Sequence, residues 1–503
     1  MKFSLLFPAE EETREFSVTP YREAMEETVY DLSVDKAVLE LCSGGEEGRY
    51  TLEVLKNPLK TVEEIEYRQA VLLDFVGNPH LLEELQEIFK NYDTLQSDWR
   101  EMQTGIYTYG VPQTSGGILD ATYEALKLTA AFARKTVSYF RSVYETVGKY
   151  EVTSQGLRGI REYCREMMEN RSLDEIGSIS ALFERETVAQ YRFKVRTETD
   201  DTLRIVSASL QEALELEDAS LAGKMKRLAA KLTKTAPPPD DTPEVDMGEF
   251  HLETARSILN EALYELYTVL GGIAGNIYEF FRGLSGELGF YDTGLRFVRR
   301  LAEAGAPFCM PKLLPGEDDC FRAKGLYDLH LLLEGMPIGD IVRNDVRIEN
   351  CDGTLIRGAN STGKTCTIRS IGALILFAQA GFPVCAESAE VSLREMLFCQ
   401  FSSAEKDFDA SDAAGRFEGE VKEVAAILRQ VTPQSLVLFN ETFQTTSYAE
   451  GAAGMVHILE ALSRAGSRYI FVTHMPVFDR MSSPRVLKLE FGRDYRITRL
   501  EKC

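Results

Sequence analysis

The sequence predicts an α plus α/β protein, in which a region of long helices is followed by a domain built on a mostly parallel sheet. Three observations carry this prediction. Apolar residues recur at three- and four-residue spacing through most of the chain up to residue 334. Beyond Gly335, short β-like runs such as "DVRIE" and "TLIRGAN" alternate with helical segments to the end. A proline- and acid-rich stretch, "TAPPPDDTPEVD" at 235–246, interrupts the helical pattern and reads as a loop or linker.

Composition sets the frame. A chain of 503 residues is long for one domain and suits about three segments, taken as 1–100, 101–334 and 335–503. A net charge of −23 argues against indiscriminate binding of polyanions but leaves room for a local basic surface. The nine cysteines are scattered without a CxxC pair, which argues against a zinc ribbon and suits reduced thiols. The opening "MKFSLLFPAEEE" has too short an apolar run for a signal peptide, and no apolar stretch approaches the roughly 18 residues of a membrane span. A cytoplasmic protein with no membrane partner is expected.

In "NPLKTVEEIEYRQAVLLDFVGNPHLLEELQEIF", Pro58 and Thr61 mark the start of one helix and Asn78-Pro79 the start of the next. A glycine-rich break follows at 104–118, then one long helix over 119–147, a length that suits a lever or coiled-coil arm. Further helices are expected to about residue 234, and another long helical pattern covers 250–305.

The segment "GANSTGKT" (Gly358, Ala359, Asn360, Ser361, Thr362, Gly363, Lys364, Thr365) fits G-x-x-x-x-G-K-[ST] and lies between an apolar run and a helical one. Strand, loop and helix form the context this phosphate-binding motif requires. The glycines let backbone N–H groups face phosphate oxygens, Lys364 brings a point charge, and Thr365 supplies a Mg2+ ligand. ATP and Mg2+ are the expected cofactors. Downstream, "SLVLF" reads as a strand buried on both faces, ending in Asn440 and Glu441. Glu441 suits polarisation of an attacking water, whereas Asn440 stands where an acid often helps to hold Mg2+. The amide can orient a metal-bound water but cannot offset charge. A third run, "YIFVTH", ends in Thr473-His474, and His474 is a candidate γ-phosphate contact.

Together these blocks resemble the MutS family of DNA mismatch-repair ATPases, within the ABC-type superfamily. The resemblance covers the C-terminal third in order. "VRNDVRI" is similar to the segment before the family's phosphate loop, and the loop and following helix include Asn360, Arg369 and Gln379. "GRFEGEVKEVAAIL" (415–428) resembles the signature helix with Phe417 and Glu420 in place, "SLVLFNETFQTTSYAEG" keeps Glu441, Thr446, Ser447 and Gly451, and "VTHMPVF" matches the histidine block. More weakly, residues 50–90 and the long helices resemble the family's core, lever and clamp. The resemblance implies a homodimer or heterodimer with ATP sites at the interface, each completed by the partner's signature segment (Gly415, Arg416, Phe417 and Glu420 here), and a clamp on duplex or branched DNA.

The departures shape the expectation. The helical core begins almost at Met1, so neither the family's N-terminal mismatch-recognition domain nor direct mismatch reading is expected. No nuclease-like module is expected after the last block. Gly415 and Arg416 replace the signature's usual serine and threonine; Arg416 suits either a charged finger or an ordinary surface arginine. In "AGKMKRLAAKLTK", Lys224, Arg227, Lys231 and Lys234 share one helical face, which suits either phosphate contacts with DNA or a solvated surface. The expected function is slow, ATP-dependent control of a DNA clamp. Its alternatives are an ATP-dependent protein-binding scaffold and a nucleotide-binding pseudoenzyme with little DNA affinity.

Overall fold

A computed structural model describes residues 3–8, 22–42, 45–109, 115–170, 191–199, 205–215, 252–402, 413–443, 448–479 and 485–500. The basic stripe at 224–234 and the linker at 235–246 lie outside these residues. The chain divides into two compact units. One comprises mainly Glu83–Val152 and Arg158–Ser285, the other Lys2–Leu82, Thr153–Leu157 and Gly286–Cys503.

The first unit contains most of α5 (Pro79–Tyr109), α6 (Ser115–Gly148), most of α7 (Gln155–Met168) and the first part of α8 (Leu252–Glu303). Its core is aromatic. Tyr92 stacks on Phe281 at 4.2 Å, Phe89 and Phe140 lie 5.2 and 5.1 Å from the same ring, and Trp99 stacks on Phe132 at 4.8 Å. Each such pair adds roughly 0.5–1.5 kcal/mol beyond burial. The single helix expected over 119–147 is longer, starting at Ser115, and α5 extends into the glycine-rich break as far as Tyr109. Between α7 and α8 the structure corrects the sequence reading. Where helices were expected, β1 (Tyr191–Thr199) and β2 (Ile205–Glu215) form an antiparallel ribbon. The cue was local: "YRFKVRTET" alternates aromatic or β-branched with charged residues at period two, a pattern a helix cannot exploit.

The second unit begins with α1 (Arg22–Asp31), α2 (Val34–Leu41), α3 (Glu46–Leu55) and α4 (Val62–Gly77). Thr61 caps α4 as the sequence suggests, its hydroxyl accepting from the Glu64 N–H and donating to the Glu64 carboxylate. Asp74 accepts from the backbone N–H groups of Thr153 and Ser154 and so ties that short segment to the unit. Beyond α8 the strands begin at β3 (Lys312–Leu314) and β4 (Cys320–Leu326), ahead of the change expected at Gly335. A five-residue helix, α9 (Leu329–Leu333), leads to β5 (Asn344–Glu349) and β6 (Gly353–Arg357). Then come α10 (Lys364–Ala380), β7 (Ser388–Ser392), β8 (Leu397–Phe401), α11 (Ala413–Leu428) and β9 (Leu436–Asn440). The remaining elements are α12 (Tyr448–Ala465), β10 (Arg468–Val472), β11 (Val486–Phe491) and β12 (Ile497–Leu500).

Two sheets result. A four-stranded one runs β3-β7-β4-β5, and a six-stranded one runs β12-β11-β6-β10-β9-β8, parallel except for β12. The middles of the central strands are mostly apolar, as two-sided burial demands; Val437, Leu438 and Phe439 are fully buried. The β8 edge is covered by α1. The Thr28 hydroxyl donates to the Leu397 carbonyl and accepts from Cys399 N–H, and Asp31 accepts from Phe401 N–H. Edge groups that would otherwise invite another strand are thereby satisfied. Because β6, β10 and β9 are parallel neighbours, register aligns Ile356 with Val472 and Val472 with Asn440. The three loops that follow these strands leave the sheet on one edge, where parallel sheets bind ligands.

Candidate nucleotide-binding site

The phosphate loop leaves β6 at Arg357 and enters α10 at Lys364. Its conformation depends on glycine at two points. Gly358 has φ 149°, and a Cβ there would lie 2.9 Å from Phe491 Cβ; Gly363 caps α10 with φ 90°. Ser361 is also left-handed, at φ 59°. The Thr362 hydroxyl donates to the Ala359 carbonyl at 2.8 Å and closes the loop on itself. Lys364 lies across this loop, its ammonium donating to the carbonyls of Gly358 at 3.0 Å and Ala359 at 2.7 Å. Burial lowers its pKa, and the nearby Glu441 carboxylate works against that shift.

Asn440 ends β9 beside this helix start. It is 1% exposed, and its Nδ2 lies 3.4 Å from Thr365 Oγ1. Its Oδ1 is buried without a hydrogen-bond partner among the described residues. A buried carbonyl oxygen left unpaired costs about 1–3 kcal/mol unless a ligand or water completes it. The pair of Thr365 hydroxyl and orphaned Asn440 Oδ1 therefore fits a small, hard cation with its water shell.

The next residue, Glu441, turns away from the strand with φ 57°, while its N–H still donates to the Val472 carbonyl at 3.0 Å. Its Oε1 lies 3.5 Å from His474 Nδ1, a pairing that the sequence, with the two residues following separate strands, did not reveal. Both side chains are about a quarter exposed. The Thr473 hydroxyl accepts from Met475 N–H, fixing the turn that presents His474. The structure thus brings the phosphate loop, Asn440, Glu441 and His474 to one edge.

The signature segment is placed differently. Glu420 is 2% exposed, and its carboxylate accepts from Ser402 Oγ at 2.9 Å and from Phe443 N–H at 3.0 Å, both within its own chain. Phe417 meets Phe443 edge-on at 5.5 Å. Gly415 and Arg416 lie in the first turn of α11, with side chains outside the described residues; Thr446 and Ser447 are also outside them. Of the other residues aligned with the family, Gln379 bridges Leu59 and Arg394 backbone groups, and Arg369 lies 3.7 Å from Asp328.

The description "MutS domain V" matches residues 354–488, and "MutS2 N-terminal domain" matches residues 60–304. The chain belongs to the MutS family. Similar MutS-family proteins include a DNA mismatch repair protein MutS of Granulibacter bethesdensis, 33% identical over 37% of this chain and 20% of that protein. A MutS of Prochlorococcus marinus is 27% identical over 48% of this chain and 26% of that protein. An "Endonuclease MutS2" of Lactococcus lactis is 30% identical over 36% of this chain and 26% of that protein. The matched region thus spans about a quarter or less of these relatives. The domain V match runs from the residue after the start of β6 to the middle of β11 and includes every strand end that builds the site.

Proposed function

We propose that this chain binds ATP with Mg2+ at the edge formed by β6, β9 and β10 and hydrolyses it slowly, using the cycle to control a grip on DNA. The observation that supports this best is the convergence of the phosphate loop with Asn440, Glu441 and His474, three strand ends aligned by register. In this reading Lys364 exchanges its two loop carbonyls for phosphate oxygens, and the loop cradles the remaining charge. Thr365 and, through water, Asn440 would hold Mg2+, which would neutralise phosphate charge when bound. Glu441 accepts the proton of the attacking water, and His474, paired to it, aligns the carboxylate and faces the γ-phosphate. The amide at 440 contributes no charge, and turnover is correspondingly slow.

Two copies with sites at their shared interface, closed by the first turn of α11, and a DNA-gripping role without direct mismatch reading complete the proposal. One observation favours a second reading, an ATP-dependent scaffold for another protein: the net charge of −23. Sedimentation with and without Mg2+-ATP, in the presence of duplex and branched DNA, separates the two. ATP-dependent dimers that carry DNA in a salt-sensitive manner are expected. Absence of DNA binding at low salt would sink the DNA reading and leave the scaffold.

A further inference from the structure

The loop that carries Glu441 is held in an uphill conformation. Glu441 and Phe443 have φ of 57° and 64°, two left-handed non-glycine residues within three positions. Each costs roughly 1–2 kcal/mol relative to ordinary backbone, so neighbours must hold them there. Three holds are visible. Glu441 N–H is fixed to β10 through Val472, and the Thr442 hydroxyl donates to Gln400 at the end of β8. The third is Glu420 on α11, which accepts from Phe443 N–H and anchors its other oxygen on Ser402, while Phe417, one turn earlier, packs on the Phe443 ring.

This third hold differs in kind. The first two come from strands within the sheet, whereas Glu420 reaches in from a helix whose first turn contains Gly415 and Arg416. A rigid helix transmits displacement of its first turn to Glu420, four residues beyond Arg416. We propose that Glu420 is a positioning residue that acts within its own subunit, tying α11 to the strained turn so that the placement of this helix sets the orientation of Glu441. The carboxylate suits the task. At 2% exposure it is dry enough for its hydrogen bonds to be strong, and its two oxygens span the end of β8 and the turn after β9. The inference rests on the ATPase reading above, because what it positions is the base of that reaction.

The test compares ATP turnover and Mg2+-ATP affinity for the parent chain, Glu420→Ala, Glu420→Gln, Glu441→Gln and the double variant Glu420→Ala/Glu441→Gln. Glu420→Ala is expected to lower kcat at least about 10-fold, with affinity unchanged within about 3-fold. Glu420→Gln should recover most of the loss, because its amide oxygen still accepts from Phe443 N–H and its NH2 donates to Ser402. If Glu420 acts through Glu441, adding Glu420→Ala to Glu441→Gln costs no further turnover. Turnover of Glu420→Ala within 2-fold of the parent, or losses that multiply in the double variant, would overturn the proposal. Should Glu420→Ala fail to fold by circular dichroism, Ser402→Ala loosens the same carboxylate. A several-fold fall in kcat at unchanged affinity is then expected, and parental kcat overturns the idea. A parent chain that neither binds nor hydrolyses ATP defeats the underlying reading instead, and shows it before any variant is compared.

Discussion

The two ends of the six-stranded sheet treat polar groups in opposite ways. At the C-terminal ends of β6, β9 and β10, Asn440 Oδ1 is buried and unpaired among the described residues, Lys364 rests on two carbonyls of its own loop, and Ser361, Glu441 and Phe443 hold left-handed backbone. At the N-terminal ends of the same strands, charges close on one another. Arg468, the first residue of β10, lies 2.6 Å from Asp319 and 3.7 Å from Asp352. Asp319 also meets Arg394 at 3.0 Å, and Asp352 meets Arg485 at 2.7 Å. One sheet, with one set of strands, thus carries an edge arranged for a ligand and an edge arranged for the fold. Left-handed backbone occurs at both ends, since Asp319 has φ 40°; what separates them is that the acids at the far end are paired, whereas the Asn440 oxygen awaits a partner.

The comparison predicts that substitutions at the two ends separate activity from stability. The largest effect is expected at the ligand edge: Glu441→Gln should lower ATP turnover roughly 100- to 10,000-fold, the range for loss of a general base, with nucleotide affinity and melting temperature nearly unchanged. Single-turnover hydrolysis beside equilibrium binding measures both. At the other edge Arg468→Ala should cost on the order of 2 kcal/mol of stability, less than a fully buried pair because Arg468 retains some exposure, while ATP affinity stays parental. A urea midpoint that does not move would show that the network is ornamental and dissolve the contrast.

Asn440→Asp tests the border between the two behaviours. The amide donates toward Thr365, whereas a carboxylate would place a buried charge there, expected to cost about 1–3 kcal/mol without metal. The fold is expected to survive, Mg2+-ATP to restore the lost stability, and turnover to be kept or raised; melting curves with and without Mg2+-ATP, together with a steady-state assay, report on this. A sharp fall in turnover would show that donation from the amide to Thr365 is itself required.

The smallest expected effect concerns pH. Burial alone would raise the Glu349 pKa, but hydrogen bonds from Arg347 and Arg322 outweigh it and hold the carboxyl below its usual value. A depressed pKa contributes stability above the ordinary carboxylate range, and that stability is lost as pH falls through the folded value. Glu349→Gln is therefore expected to cost a few tenths to about 1 kcal/mol near neutrality and nothing in strong acid. Unfolding curves at several pH values would check this, and a gap that stays constant into acid would refute it.

Much of the site was legible in the sequence because it is encoded locally. The phosphate loop needs glycine at positions 358 and 363 where left-handed backbone occurs, and an apolar run followed by Asn440 and Glu441 announces a buried strand and its functional end. The cap at Thr61 and the helix start at Pro79 were legible for the same reason. Less visible was whatever depends on residues far apart in the chain. The ribbon of β1 and β2 was missed because the sequence on either side carries helical spacing, although its own alternation was present.

Residue chemistry and short-range spacing thus determined the α plus α/β class, the glycine-bounded loop between β6 and α10 and the identity of the acid and the amide beside it. Tertiary structure alone decided that His474 pairs with Glu441, that α1 closes the β8 edge, and that Glu420 faces inward to hold the Glu441 turn. The reason is physical: a motif fixes which groups are available and the local backbone they require. Which buried oxygen meets which distant N–H is settled only when strands find their register and a helix packs across them.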